Sequence, residues 1–139
     1  MSDAAATARD AGLKATTIVA YGLFLLAPFN GLTAIAGVIL VYVRRDEMRG
    51  TVWESHGRNL VRVFWIGALL AVLLLAALLQ GAGGLLFELF RTDGDPSPAL
   101  IGGLAVLVPV LALAALVFTI WYLYRVLRGL LRALDGLAG

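Results

Sequence analysis

Val63–Phe87 reads VFWIGALLAVLLLAALLQGAGGLLF, and its only polar side chain is Gln80. A helix needs roughly 20 apolar residues to cross about 30 Å of hydrocarbon, and this stretch exceeds that without a single charge. Two further uncharged stretches, Ala15–Val43 and Pro96–Tyr124, do the same. A buried core of a soluble protein would show polar interruptions along such a length. The fold expected is therefore all-α, a polytopic transmembrane helical bundle. Composition agrees: 61% of the 139 residues are apolar and 14% charged, well outside the soluble range, and the length suits a single transmembrane domain.

Upstream of Val63 lies the most polar part of the chain. Arg44-Arg45-Asp46-Glu47-Met48-Arg49-Gly50 forms a connector, and Thr51-Val52-Trp53-Glu54 fits a capping box, with a threonine N-cap and a glutamate three residues into the first turn. A helix is expected to start there, pass His56, Arg58 and Arg62 at the membrane interface, and end near Gln80 at Gly81-Ala82-Gly83-Gly84. Trp53 and Trp65 suit the interfacial aromatic belt. The segment Arg44–Arg62 combines both signs of charge with the single histidine, so Arg44, Arg45, Glu54, His56, Arg58 and Arg62 are the candidate interaction or headgroup face. Glu54, Arg58 and Arg62 follow at intervals of four, which places them on one helical face. Arginines at a helix end snorkel to the interface whether or not they bind a ligand. His56 titrates near neutral pH, but a proton relay needs further ionisable groups at membrane depth, and none follows before Glu88.

Further upstream, Pro28-Phe29-Asn30-Gly31 interrupts the first apolar stretch: proline removes a helix donor and Asn-Gly is a strong turn signal. One kinked span or a hairpin of two short helices both fit. Lys and Arg concentrate on the cytoplasmic side of membrane proteins. A hairpin puts ten of the eleven basic residues there and leaves only Arg91 outside, whereas a single span also exports Arg9 and Lys14. The hairpin is favoured, giving four spans with both termini cytoplasmic. Its arms, about 13–28 and 31–43, measure roughly 24 and 20 Å at 1.5 Å per residue, so they thin the bilayer or penetrate it partly. Arg9 and Lys14 followed by an apolar run imitate a signal peptide with Ala34-Ile35-Ala36 as cleavage site, but the run continues to Val43 and reads as uncleaved. Residues 1–14 read as a frayed or interfacial helix.

The expected boundaries are a connector and helix start at 44–60, a span at 61–80, an external interfacial segment at 84–97 including the acidic turn Asp93–Pro98, a second span at 98–124 bent at Pro109, and a basic amphipathic tail at 125–139. Arg125, Arg128 and Arg132 share one face of that tail, with Leu127, Leu130, Leu131 and Leu134 opposite, as in a helix resting on anionic headgroups. Small residues at Gly37, Gly67 and Gly102 are candidates for close helix packing, within the chain, in a homo-oligomer or against a membrane-protein partner.

With no cysteine there is no disulfide, thiolate metal site or cysteine nucleophile, and one histidine cannot form a histidine cluster. A formal charge of +2 gives no reason to expect nucleic-acid binding. No Walker loop, dinucleotide fingerprint or nucleophile elbow occurs. The expectation is a non-enzymatic protein with no catalytic, cofactor or metal site.

The order of features resembles a family of small bacterial membrane proteins of unknown function, related to the chloroplast inner-envelope import component Tic-twenty. The residues concerned are Tyr21-Gly22-Leu23, Gly31-Leu32-Thr33-Ala34, Tyr42-Val43-Arg44-Arg45-Asp46, Glu54-Ser55-His56-Gly57-Arg58 and Trp121-Tyr122-Leu123-Tyr124-Arg125. Asn59-Leu60-Val61-Arg62 departs from the family pattern. The resemblance implies four helices with a short leading hairpin in the bacterial inner membrane. Its plastid members imply, as the competing expectation, a small channel or protein-translocation subunit.

Overall fold

A computed structural model describes residues 3–91 and 97–139. The described residues are all-helical: α1 (Asp3–Leu26), α2 (Gly31–Val43), α3 (Arg45–Met48), α4 (Trp53–Arg91) and α5 (Pro98–Leu134). They divide into two compact units, Met1–Ile66 with Thr119–Gly139, and Gly67–Phe118.

In the first unit the break after α1 is a true reversal. The amide groups of Phe29 and Asn30 bond back to the Leu26 carbonyl at 3.0 and 3.1 Å, and Pro28 has no amide to continue the ladder. Asn30 then caps α2 from an extended conformation, its side-chain oxygen accepting from Leu32 N at 3.2 Å. The hairpin closes where Gly37 lies under the Phe24 ring: a Cβ at Gly37 would come within 2.8 Å of Phe24 Cδ2. α1 is one continuous helix from Asp3, so the frayed leader and the first arm are a single element.

The start of α4 differs from the expected capping box. Thr51 donates its hydroxyl to the Met48 carbonyl at 2.6 Å, and Glu54 Oε2 accepts from the amide of Gly50, not of Thr51. Gly50 has φ 73°, and this left-handed turn carries its amide one residue further back than the motif requires. The connector is stapled by Arg44–Glu47 and Arg49–Asp46 ion pairs at 2.7 and 3.4 Å.

The core of this unit is formed by stripes at helical spacing. α1 contributes Leu13, Thr17, Ala20, Tyr21 and Phe24; α2 adds Val38 and Val41; α4 adds Trp53, His56, Leu60 and Val63; α5 adds Tyr122, Val126, Gly129 and Ala133. α1 and the end of α5 run antiparallel, since Lys14 Nζ donates to the Leu134 carbonyl at 2.9 Å while Tyr122 Oη donates to the Phe24 carbonyl at 2.7 Å. The amphipathic tail is thus the last part of α5, and its buried stripe is Val126, Gly129 and Ala133, whereas Leu127, Leu131 and Leu134 are exposed. α5 ends in a Schellman turn: Gly136 has φ 71°, and Leu137 N bonds to the Arg132 carbonyl at 2.9 Å.

The second unit contains the ends of α4 and α5 that face each other. Gly81 lies opposite Leu104 and Leu107, and Gly67 lies opposite the Phe118 ring, so these segments are antiparallel. α4 does not stop at Gly81–Gly84 but runs on to Arg91 through the start of the expected interfacial segment 84–97. A glycine costs about 1 kcal/mol in a helix, which the surrounding leucines and unbroken backbone ladder outweigh. A glycine that caps a helix end takes positive φ, and among the described residues only Gly50 and Gly136 have one. Pro109 likewise lies inside α5. Of the acidic turn expected at Asp93–Pro98, residues 93–96 lie outside the described residues, the Ser97 hydroxyl accepts from Leu100 N at 3.3 Å, and Pro98 opens α5. α4 and α5 are both long and apolar enough to cross a membrane, with mean hydropathies of 2.5 and 2.7 over their apolar windows. No described residue of this unit is buried.

Candidate functional site

Helical spacing separates His56 from the residues around it. Glu54, Arg58 and Arg62 recur every fourth residue and lie on the outer face of α4, while His56, two positions on from Glu54, points to the other side. There it is fully buried. The predicted face is thus divided between two places.

The outer part is a groove of about 370 Å³ lined by Arg45, Arg49, Glu54, Arg58 and Arg62 with Tyr42, Val41 and Met48. Arg58 lies 3.8 Å from Glu54. Arg44 is held by Glu47 outside this groove.

The inner part is a chain of hydrogen bonds through the core. Arg125 Nε donates to Asn59 Oδ1 at 2.9 Å, and Asn59 Nδ2 donates to Tyr21 Oη at a long 3.4 Å. Tyr21 Oη lies 3.0 Å from His56 Nδ1, and His56 Nε2 lies 2.7 Å from the Leu137 carbonyl. A carbonyl only accepts, so Nε2 carries the proton, and the neutral ring then receives the Tyr21 hydroxyl at Nδ1. Every bond points the same way, from the guanidinium to the carbonyl beyond α5. Burial pushes the His56 pKa below its ordinary 6.5; the Leu137 carbonyl opposes this and the Arg132 charge adds to it. The Trp53 ring lies 5.9 Å from that of His56, and its Nε1 donates to Asp10 Oδ1 at 2.6 Å. The Ser55 hydroxyl accepts from Gly139 N at 2.8 Å, so residues 137–139 are fastened to the first turn of α4 at two points.

The predicted tail residues come together on this side. Arg125, Arg128 and Arg132 line a cavity of about 300 Å³ with Asn59, Trp121, Tyr124, Gly129 and Gly139. The Arg125 guanidinium sits 5.6 Å from the centre of the Trp121 ring, and Arg128 Nη1 donates to Tyr124 Oη at 3.2 Å.

Of the glycines singled out for close packing, Gly37 fits the expectation, Gly67 makes an ordinary contact with Phe118, and Gly102 faces open space within the chain. Among the helical glycines the closest approach belongs to Gly129, where a Cβ would lie 2.6 Å from Cε1 and Cζ of Tyr21. Its signal was the small pair Gly129 and Ala133, four apart on one face. Tyr21 and Asn59 gave no local signal of their partnership with His56. Comparison with known proteins yields no match, whether to family models, curated sequences or solved structures.

Proposed function

We propose that this chain is a non-enzymatic multi-pass protein of a bacterial inner membrane, acting by contact as an accessory or scaffold subunit of a larger membrane complex or as a homo-oligomer. One observation carries the reading: residues 67–91 and 98–118 are overwhelmingly apolar yet bury no side chain, with Leu69, Val72, Leu79, Phe87, Val106 and Leu113 each more than half exposed. Water is a poor solvent for such a pair of helices, and lipid or another helix must cover it. Segments of these lengths span about 37 and 31 Å, enough for the hydrocarbon core.

The contacts of the first unit support termini on one side. Arg9 donates to the Glu47 carbonyl at 2.8 Å, Asp10 holds Trp53, and Lys14 reaches Leu134, so the charged start of α1 joins both the Arg44–Arg62 segment and the end of α5. By the positive-inside rule this basic end faces the cytoplasm. α2 measures about 20 Å, so the α1–α2 hairpin enters the bilayer as a short pair, in addition to two complete crossings by α4 and α5. The groove lined by Arg45, Glu54, Arg58 and Arg62 supplies polar specificity toward a partner.

Two measurements test this. Cysteines placed singly at Ala5 and Gly94 should label from opposite sides of the membrane, and those at Ala5 and Ala138 from the same side; any other pattern refutes the topology. Purification in a mild detergent should yield a stoichiometric partner or defined oligomer, and a clean monomer that alone restores the function of a deletion strain refutes the contact mechanism. The translocation reading draws on the family resemblance and the helix break at Pro28–Asn30; solute flux through reconstituted liposomes above that of empty vesicles would favour it instead.

A further inference from the structure

We propose that the cavity bounded by Arg125, Arg128 and Arg132 is a binding site for a phosphomonoester group. Arg125, Arg128 and Arg132 all line a hollow of about 300 Å³ whose lining includes no aspartate or glutamate side chain. That volume is at the small end of ligand pockets and suits a headgroup. A flat basic helix face attracts anions diffusely, but here Asn59 of α4, the backbone at Gly129 and the returning residue Gly139 add walls on other sides.

The donors are arranged and largely unused. Arg125 is fixed through Nε by Asn59 and braced over Trp121, which leaves its two terminal nitrogens without an acceptor among the described residues. Arg128 uses one terminal nitrogen on Tyr124, itself a neutral group. Arg132 makes no hydrogen bond or ion pair with a described residue, and Asp135, the carboxylate nearest in sequence, pairs with neither Arg128 nor Arg132. By contrast, Arg58 in the outer groove faces Glu54 and Arg49 faces Asp46, so that groove is partly neutralised from within.

A phosphomonoester carries close to two negative charges near neutral pH and three acceptor oxygens, which match planar guanidinium forks better than the single charge of a phosphodiester. Trp121 and Tyr124 beside the site are the residues that favour the headgroup level of a bilayer. The same chemistry is offered by a lipid such as phosphatidic acid and by a soluble phosphate ester. The lipid source rests on the membrane reading above; the site itself does not.

The full chain in a neutral detergent is titrated with short-chain phosphatidic acid, phosphatidylglycerol and phosphatidylcholine of equal chain length, and separately with glycerol phosphate, reading bound ligand by native mass spectrometry. Phosphatidic acid should bind about tenfold or more tightly than phosphatidylglycerol, as expected when charge-assisted hydrogen bonds differ. Arg128→Gln with Arg132→Gln should abolish that preference; neither side chain serves the core, so folding is retained, and circular dichroism checks it. Arg9→Gln with Arg91→Gln removes the same charge outside both hollows and should change binding less than about twofold. Displacement by glycerol phosphate at equal concentration assigns the site to a soluble ester, and retention of the lipid assigns it to a headgroup. Equal affinity for phosphatidic acid and phosphatidylglycerol, or equal loss in both double variants, overturns the proposal whatever the topology proves to be.

Discussion

Gly129→Ala adds one methyl group at the contact between α5 and α1. Elsewhere in a helix this exchange is favourable by about 1 kcal/mol, because alanine has less backbone entropy to lose. At Gly129 the new Cβ would lie 2.6 Å from Cε1 and Cζ of Tyr21, well inside van der Waals contact. The ring has nowhere to go: Tyr21 is fully buried and its hydroxyl is bonded to His56 and Asn59. Overpacking of this kind costs about 1–3 kcal/mol, and contact with a fixed ring belongs at the upper end. After the helix gain is set against it, a net loss of about 1–2 kcal/mol remains, or a fall of about 4–8 °C in unfolding temperature for a chain of this length. Gly102→Ala is the matched control, since its Cβ would meet nothing within 4 Å, and it should leave the unfolding temperature unchanged or raise it. Thermal unfolding followed by circular dichroism in one detergent compares the two directly. If Gly129→Ala unfolds at or above the wild-type temperature, or if Gly102→Ala is the more damaging change, the packing described for the Tyr21 core is wrong.

Other outcomes follow from the same contacts. The folded chain binds a proton at His56 less readily than the unfolded chain, so this residue's contribution to stability is intact above pH 6.5 and is lost as pH falls from there toward the lower folded value; unfolding temperature should drop between about pH 7.5 and about 5.5, and His56→Gln should flatten that drop. Tyr122→Phe removes a donor to the Phe24 carbonyl, which still accepts from Ala27 N at 3.1 Å, so chemical denaturation should show a loss of only about 0.5–1 kcal/mol. Asn30→Ala removes the α2 cap and should cost about 1 kcal/mol, with Asn30→Asp close to wild type in the same assay.

The helical class and the hairpin were legible because their signals are local and strong: uninterrupted apolar runs, a proline without an amide, and an asparagine that caps the next residue but one. The bounds of α2 coincide with those expected for the second arm. Gly81–Gly84 misled because a glycine that caps a helix end takes positive φ, and sequence does not report φ. His56 was grouped with Glu54 and Arg58 by proximity in the chain, although a spacing of two already turns it away from them. The hydrogen-bonded core was beyond sequence reading for a different reason: Tyr21, His56 and Asn59 meet across separations of 35 and 38 residues, and Arg125 reaches Asn59 across 66. Only tertiary structure brings such partners together.

Lys14 bonds to the backbone of Leu134 across 120 residues, and Gly129 and Ala133 close the core around Tyr21. During biosynthesis, α1, α2 and the first turns of α4 therefore emerge long before the segment that completes their packing. Loop closure over such a distance is slow to nucleate. Until residue 137 has left the ribosome, Tyr21 and His56 lack their last neighbours, and the nascent chain carries an open aromatic seam. Truncation before Thr119 should trap that unfinished species, recognisable by proteolysis within α1.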